Sequence, residues 1–138
     1  MHPDLEKLIG LQAHDVEAKR LRDEMIALPK HVASLEAKAK ATEGQRAVII
    51  DLMAKEDALR RRQESDIKDH QAKIARVRKQ MDMATTTVQV TAFEHEIAFG
   101  QAEISKLEDA EIESMERSEG LESQKRLADE ALADATAA

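Results

Sequence analysis

The chain has no cysteine, tryptophan or tyrosine, and only two phenylalanines, two prolines and four glycines in 138 residues. Without cysteine there is no disulfide framework, no thiolate zinc site and no cysteine nucleophile. The longest apolar run is Ala47-Val48-Ile49-Ile50, far short of the roughly 18 residues a membrane span needs. The N-terminal MHPDLEKLIG lacks the basic and apolar regions of a signal peptide. These absences predict a soluble cytoplasmic protein.

What is present is helix-forming. Ala, Glu, Lys, Leu and Arg supply 73 of the 138 residues, a composition that belongs to coiled coils and long helices. Large apolar side chains are thinly spread along the whole length, which disfavours a compact enzyme core. The formal net charge of −7 argues against a surface that binds nucleic acid everywhere, while leaving room for a local basic patch.

The breakers divide the chain. Leu5, Leu8, Ile9, Gln12, Val16, Leu21, Met25 and Leu28 recur at three- and four-residue steps, predicting a first helix over 3–28 that stops or kinks at Pro29. A long helix follows over 30–83, with a seam of Ile49, Leu52, Glu56, Leu59, Gln63, Ile67, His70, Ile74, Val77 and Met81. The doubled four-residue step at Leu59-Gln63-Ile67 reads as a stutter. Three β-branched threonines then interrupt the pattern and place a turn over 84–90. Thr91-Ala92-Phe93-Glu94 has capping-box spacing and predicts a third helix over 91–135. Its seam runs through Phe93, Ile97, Gly100, Ile104, Leu107, Glu111, Met115, Ser118 and Leu121.

Charge favours an antiparallel pairing of the second and third helices. Residues 60–79 hold eight basic and three acidic side chains, and 91–124 hold ten acidic and two basic, so the arms are complementary. Folding about residues 86–87 makes facing numbers sum to about 174, setting Arg60, Arg61 and Arg62 near Glu111, Glu113 and Glu116. The expected architecture is all-α: one domain over 1–138, a long antiparallel coiled-coil hairpin with an additional N-terminal helix folded back along it, giving three helices in a hooked rod.

Chemistry is scarce in this pattern. His2, His14, His31, His70 and His95 lie too far apart for paired ligands on one helix face, so neither a metal nor another cofactor is expected. Glu94, His95 and Glu96 are adjacent and point around a helix in different directions, and no phosphate loop or nucleophile elbow is present. No enzymatic activity and no small-molecule substrate are expected. Arg60, Arg61, Arg62, Lys68, Lys73, Arg76, Arg78 and Lys79 could track a phosphate backbone, although no aromatic side chain lies among them to stack a base. The bland reading of that run is interhelical and solvated charge.

The order of features resembles the bacterial C4-type zinc ribbon family, whose members carry an N-terminal helical hairpin. The likeness lies in Leu8-Ile9-Gly10-Leu11-Gln12 with Asp15, Leu28-Pro29, Arg78-Lys79-Gln80-Met81, Ala92-Phe93-Glu94-His95-Glu96-Ile97 and Ser105-Lys106-Leu107-Glu108-Asp109. At the turn this chain has Gln89 and Val90 where the family usually has an acidic and an aromatic residue. The family's ribbon carries two Cys-x-x-Cys pairs, so zinc is expected only in a C-terminal ribbon that this cysteine-free chain lacks. The resemblance implies a non-enzymatic adaptor or chaperone-like scaffold, linked to the sigma-54 transcription factor or to flagellar and type III secretion components. Thr86, Thr87, Val88, Gln89 and Val90 at the tip are the expected contacts with a protein partner, and pairing with a second copy is a further expectation. The alternative is a nucleic-acid-binding hairpin using the basic stripe 60–79.

Overall fold

A computed structural model describes residues 2–137. It contains two helices, α1 over Pro3–Asp82 and α2 over Thr87–Ala137, and no strand among the described residues. The expected three-helix arrangement is therefore corrected to two. α1 passes through Pro29 without interruption. A proline in a helix interior costs about 3 kcal/mol through the lost amide and a clash with the preceding turn. Here Ala27, Leu28 and Lys30 are good helix formers on either side, and the surrounding residues are exposed, so the ring meets only its own helix.

The connection is also shorter than the threonine run suggests, occupying only Met83–Thr86. The amides of Met83 and Ala84 donate to the carbonyls of Gln80 and Met81, each at 3.1 Å, which tightens the end of α1 into three-residue turns. Thr86 caps α2: its Oγ1 accepts the Gln89 amide at 3.2 Å, while Gln89 Oε1 reaches back to accept the Thr85 amide at 3.1 Å. The Val90 amide then closes the first helical bond on the Thr86 carbonyl. The expected cap at Thr91 is displaced by five residues, to Thr86, and the Thr91 hydroxyl instead donates to the Thr87 carbonyl within the helix.

The chain forms two compact units. In the unit Gln45–Asp129, the buried and half-buried side chains of α1 are Arg46, Ile49, Met53, Glu56, Arg60, Gln63, Ile67, His70, Ile74, Val77 and Met81, with Asp66 beside them. Those of α2 are Val90, Phe93, Ile97, Gly100, Ile104, Leu107, Glu111, Ser114, Ser118, Leu121, Lys125 and Ala128, flanked by Glu103, Ala110 and Asp129. Both seams alternate three- and four-residue steps without a break, so the expected stutter is absent. Met53 and Arg60 hold the positions expected of Leu52 and Leu59, and Ser114 holds that of Met115. Those three apolar side chains are 41%, 38% and 51% exposed.

The two seams meet in one register. Arg60 bonds to Ser114 and Ile74 lies against Gly100, and each pair of numbers sums to 174. That sum is the one expected from the position of the turn. It places Val77 level with Ile97 and Gln63 level with Glu111. The layers nearest the turn are mostly apolar, with Ile67, Ile74 and Val77 the most deeply buried apolar side chains of α1.

In the other unit, the end of α2 lies along α1. Ala131 and Ala135 share a groove with Leu35, Ala39 and Thr42. Of residues 3–34, all are exposed except Ala18, which is half-buried, so the N-terminal part of α1 is an arm that contacts no second helix among the described residues. The expectation that it folds back along the hairpin is overturned.

Candidate functional site: tip, basic stripe and polar seam

The tip takes its form from the cap. Thr86 and Gln89 are engaged in it, and Val90 turns inward and is half-buried as the first seam residue of α2. Thr87 is exposed, with its carbonyl held by Thr91. Of the five expected contact residues, Val88 offers the free apolar surface, being 80% exposed. Met83, expected at the end of the preceding helix, stands in the turn and is 82% exposed. Two bare apolar side chains therefore flank a turn whose hydrogen-bonding groups serve the cap.

The basic stripe divides in two. Arg60 lies at a seam position, donating to the Ser114 and Ser118 hydroxyls, to the Ser114 carbonyl and to the Asp57 carboxylate. Arg61, Arg62, Lys68, Lys73, Arg76, Arg78 and Lys79 are exposed, and none forms an ion pair among the described residues. Glu111, Glu113 and Glu116, expected near Arg60–Arg62, form no ion pair with them. Ion pairs between the helices in this unit are Arg46 with Asp129 and Arg117 with Glu56.

Arg60 belongs to a polar stretch of seam. Ser114 is fully buried; its hydroxyl donates to Glu56 Oε2 at 2.6 Å and accepts from Arg60 at 3.2 Å. Arg117 clasps Glu56 from the rim, through Nε at 2.8 Å and through the second nitrogen at 3.2 Å. The Arg117 and Ser114 donors together hold the Glu56 carboxyl below its ordinary range. In the next layer toward the turn, Gln63 Oε1 and Glu111 Oε1 are buried without a hydrogen-bond partner. Burial, then the neighbouring Glu64 and Glu108, raise the Glu111 carboxyl above its ordinary range. The other side of Glu111 opens on a surface groove shared with Arg61, Glu64 and Lys68.

No group of three or more His, Asp or Glu side chains among the described residues is placed to hold a metal ion. No described helix is long and apolar enough to cross a membrane. His70 is half-buried on the seam, and His14, His31 and His95 are exposed.

Residues 11–138 match the model of a family described as the CT398-like coiled coil hairpin domain. No curated protein and no solved structure matches the chain.

Proposed function

The chain belongs to the CT398-like coiled coil hairpin family, and on that premise we propose that it is an interaction scaffold whose tip captures a protein partner. A hairpin of this kind offers surface and spacing more than an enclosed cavity, and apolar side chains exposed together are a feature of docking sites. The observation that carries the reading is the pair Met83 and Val88, both about four-fifths exposed beside a capped turn. The narrower role, a chaperone-like adaptor serving a sigma factor or flagellar and type III secretion components, rests on the resemblance to C4-type zinc ribbon proteins at Leu28-Pro29 and residues 92–97. It is part of the same proposal.

The test is recovery of partners on the tagged chain from nuclease-treated lysate of the source cell, compared with Val88→Asp and with Met83→Asp combined with Val88→Asp. Neither substitution touches the Thr86–Gln89 cap, so helicity by circular dichroism should hold while the captured partner is lost. Unaltered capture by the double variant removes the tip as the docking surface.

A second reading is supported by the exposed stripe Arg61, Arg62, Lys68, Lys73, Arg76 and Lys79, whose charges are free of ion pairs among the described residues. If it tracks a phosphate backbone, affinity for a duplex oligonucleotide falls steeply with salt, because each neutralised phosphate releases counterions. Arg61→Glu with Lys68→Glu should flatten that slope. Binding that is absent, or indifferent to salt, sinks this reading.

A further inference from the structure

The arm of α1 is a seam without a second helix. Leu11, His14, Ala18, Leu21, Met25, Leu28 and Val32 follow one another in alternating three- and four-residue steps, in phase with Leu35, Ala39 and Thr42, which do face α2 in the same unit. Leu11, Leu21, Met25, Leu28 and Val32 are 61%, 49%, 72%, 60% and 44% exposed. A stripe of this period is filled by another helix. An arm bearing Gly10 and Pro29 has little intrinsic helical stability with which to stand alone.

From this we infer that the arm pairs with the arm of a second copy, antiparallel, with Leu11 against Leu28 of the partner subunit, His14 against the partner's Met25 and Ala18 against the partner's Leu21. The arrangement is self-complementary. Each of these contacts occurs twice about a two-fold axis, so the pairing closes at a dimer. Small Ala18 meets large Leu21, which lets the two backbones approach at the centre of the contact.

Two observations set direction and register. A parallel partner would have to continue along the seam past Val32, where α2 already lies against Leu35, Ala39 and Thr42. An antiparallel partner runs off the other end of the arm instead. Within the antiparallel arrangement, the flanking position of Asp15 faces Arg22 of the partner subunit. Sliding by one heptad either way brings Arg22 onto the partner's Arg22 or Asp15 onto the partner's Asp15, so like charges meet at the flank. On the opposite flank Glu17 faces the partner's Glu24, and Glu17 is held by Arg20 of its own helix at 2.6 Å.

The absence of native cysteine makes the register directly readable. Full-length Ala18→Cys and Leu21→Cys chains, mixed and gently oxidised, should form the mixed 18–21 disulfide in preference to either symmetric one. Light scattering over a dilution series should give a dimer mass. Leu21→Glu with Leu28→Glu should halve the apparent mass without loss of the hairpin's cooperative melting. Asp15→Arg should weaken the dimer, and adding Arg22→Asp should restore it. A monomer at every concentration overturns the inference, since the arm is then bare or reserved for a helix of another protein. A dimer that survives the double Leu→Glu change, or one that links position 18 to position 18, overturns it equally.

Discussion

Gly100 lies so close to Ile74 that a β-carbon added to it would stand 2.9 Å from Ile74 Cγ1 and 3.1 Å from Cδ1. This is the closest approach of α1 and α2 that a glycine permits in the unit Gln45–Asp129, and Ile74 is one of that unit's most buried side chains. A side chain here would press on Ile74, which sets glycine's close packing against its poor helix propensity.

The first prediction compares Gly100→Ala with Gly120→Ala. Alanine in place of glycine in a helix gains about 1 kcal/mol of propensity, and at Gly120 nothing lies within 4 Å to oppose it. At Gly100 overpacking costs about 1–3 kcal/mol, which outweighs that gain. Gly120→Ala should therefore raise the melting temperature and Gly100→Ala should lower it. Equal stabilisation by both would mean that Ile74 yields without strain.

A second prediction separates two threonines that look alike in sequence. Thr86→Ala removes the acceptor of the Gln89 amide and should cost about 0.5–2 kcal/mol. Thr91→Ala removes only a hydroxyl bonded to the Thr87 carbonyl inside the helix, and should be near neutral. Chemical denaturation of the two variants checks this. The reverse order would restore the start of α2 to Thr91.

These threonines also show where sequence reading succeeds and where it stops. The register is legible because Ile67, His70, Ile74 and Val77, and then Phe93, Ile97, Gly100, Ile104 and Leu107, keep an unbroken three-and-four rhythm, which the turn position converts into a facing sum of 174. The start of α2 is not, since Thr86-x-x-Gln89 and Thr91-x-x-Glu94 both fit a cap, and the choice depends on where the reversing chain leaves the Gln89 amide. Pro29 misled because its penalty is local and a long helix on each side outweighs it. Hydrophobicity favours Leu59 over Arg60, yet the hydroxyls of buried Ser114 and half-buried Ser118 offer a guanidinium partners that no single helix reveals. At the tip, Thr86 and Gln89 serve the cap and Val90 joins the seam, while Val88 and Met83 stand exposed.

Ser114 is the pin of the polar seam. Ser114→Ala leaves Arg60 with Ser118 and Asp57, and Glu56 with Arg117, but removes a fully buried hydroxyl that serves both. Loss of a buried hydrogen-bonding group costs about 1–3 kcal/mol. Ser118→Ala removes only a bond from Arg60 and should cost less. Urea midpoints in that order are expected, and equal effects would show that the seam does not depend on the bond from Ser114 to Glu56.

The two seam carboxylates give opposite responses to acid. Glu111 is raised above its ordinary value of 4.5 by burial and by Glu64 and Glu108, so its proton is bound more tightly folded than unfolded. Its contribution is fully present below that ordinary value and is lost as pH rises through the raised folded one. Glu56 is lowered from 4.5 by Arg117 and Ser114, so its contribution is present above the ordinary value and is lost as pH falls through the lowered one. Acidification from neutrality should first firm the Gln63–Glu111 layer and then loosen the Glu56 clasp. Glu111→Gln should raise the melting temperature at neutral pH, with the gain shrinking as pH falls through the raised folded value and gone below 4.5, where the native carboxyl is itself protonated. Arg117→Gln should do the reverse, lowering stability at neutral pH and losing its effect in acid. A melting series across pH for the parent chain and these two variants reads both signs, and a Glu111→Gln gain that persists unchanged in acid would show that shape at that layer, not charge, governs its stability.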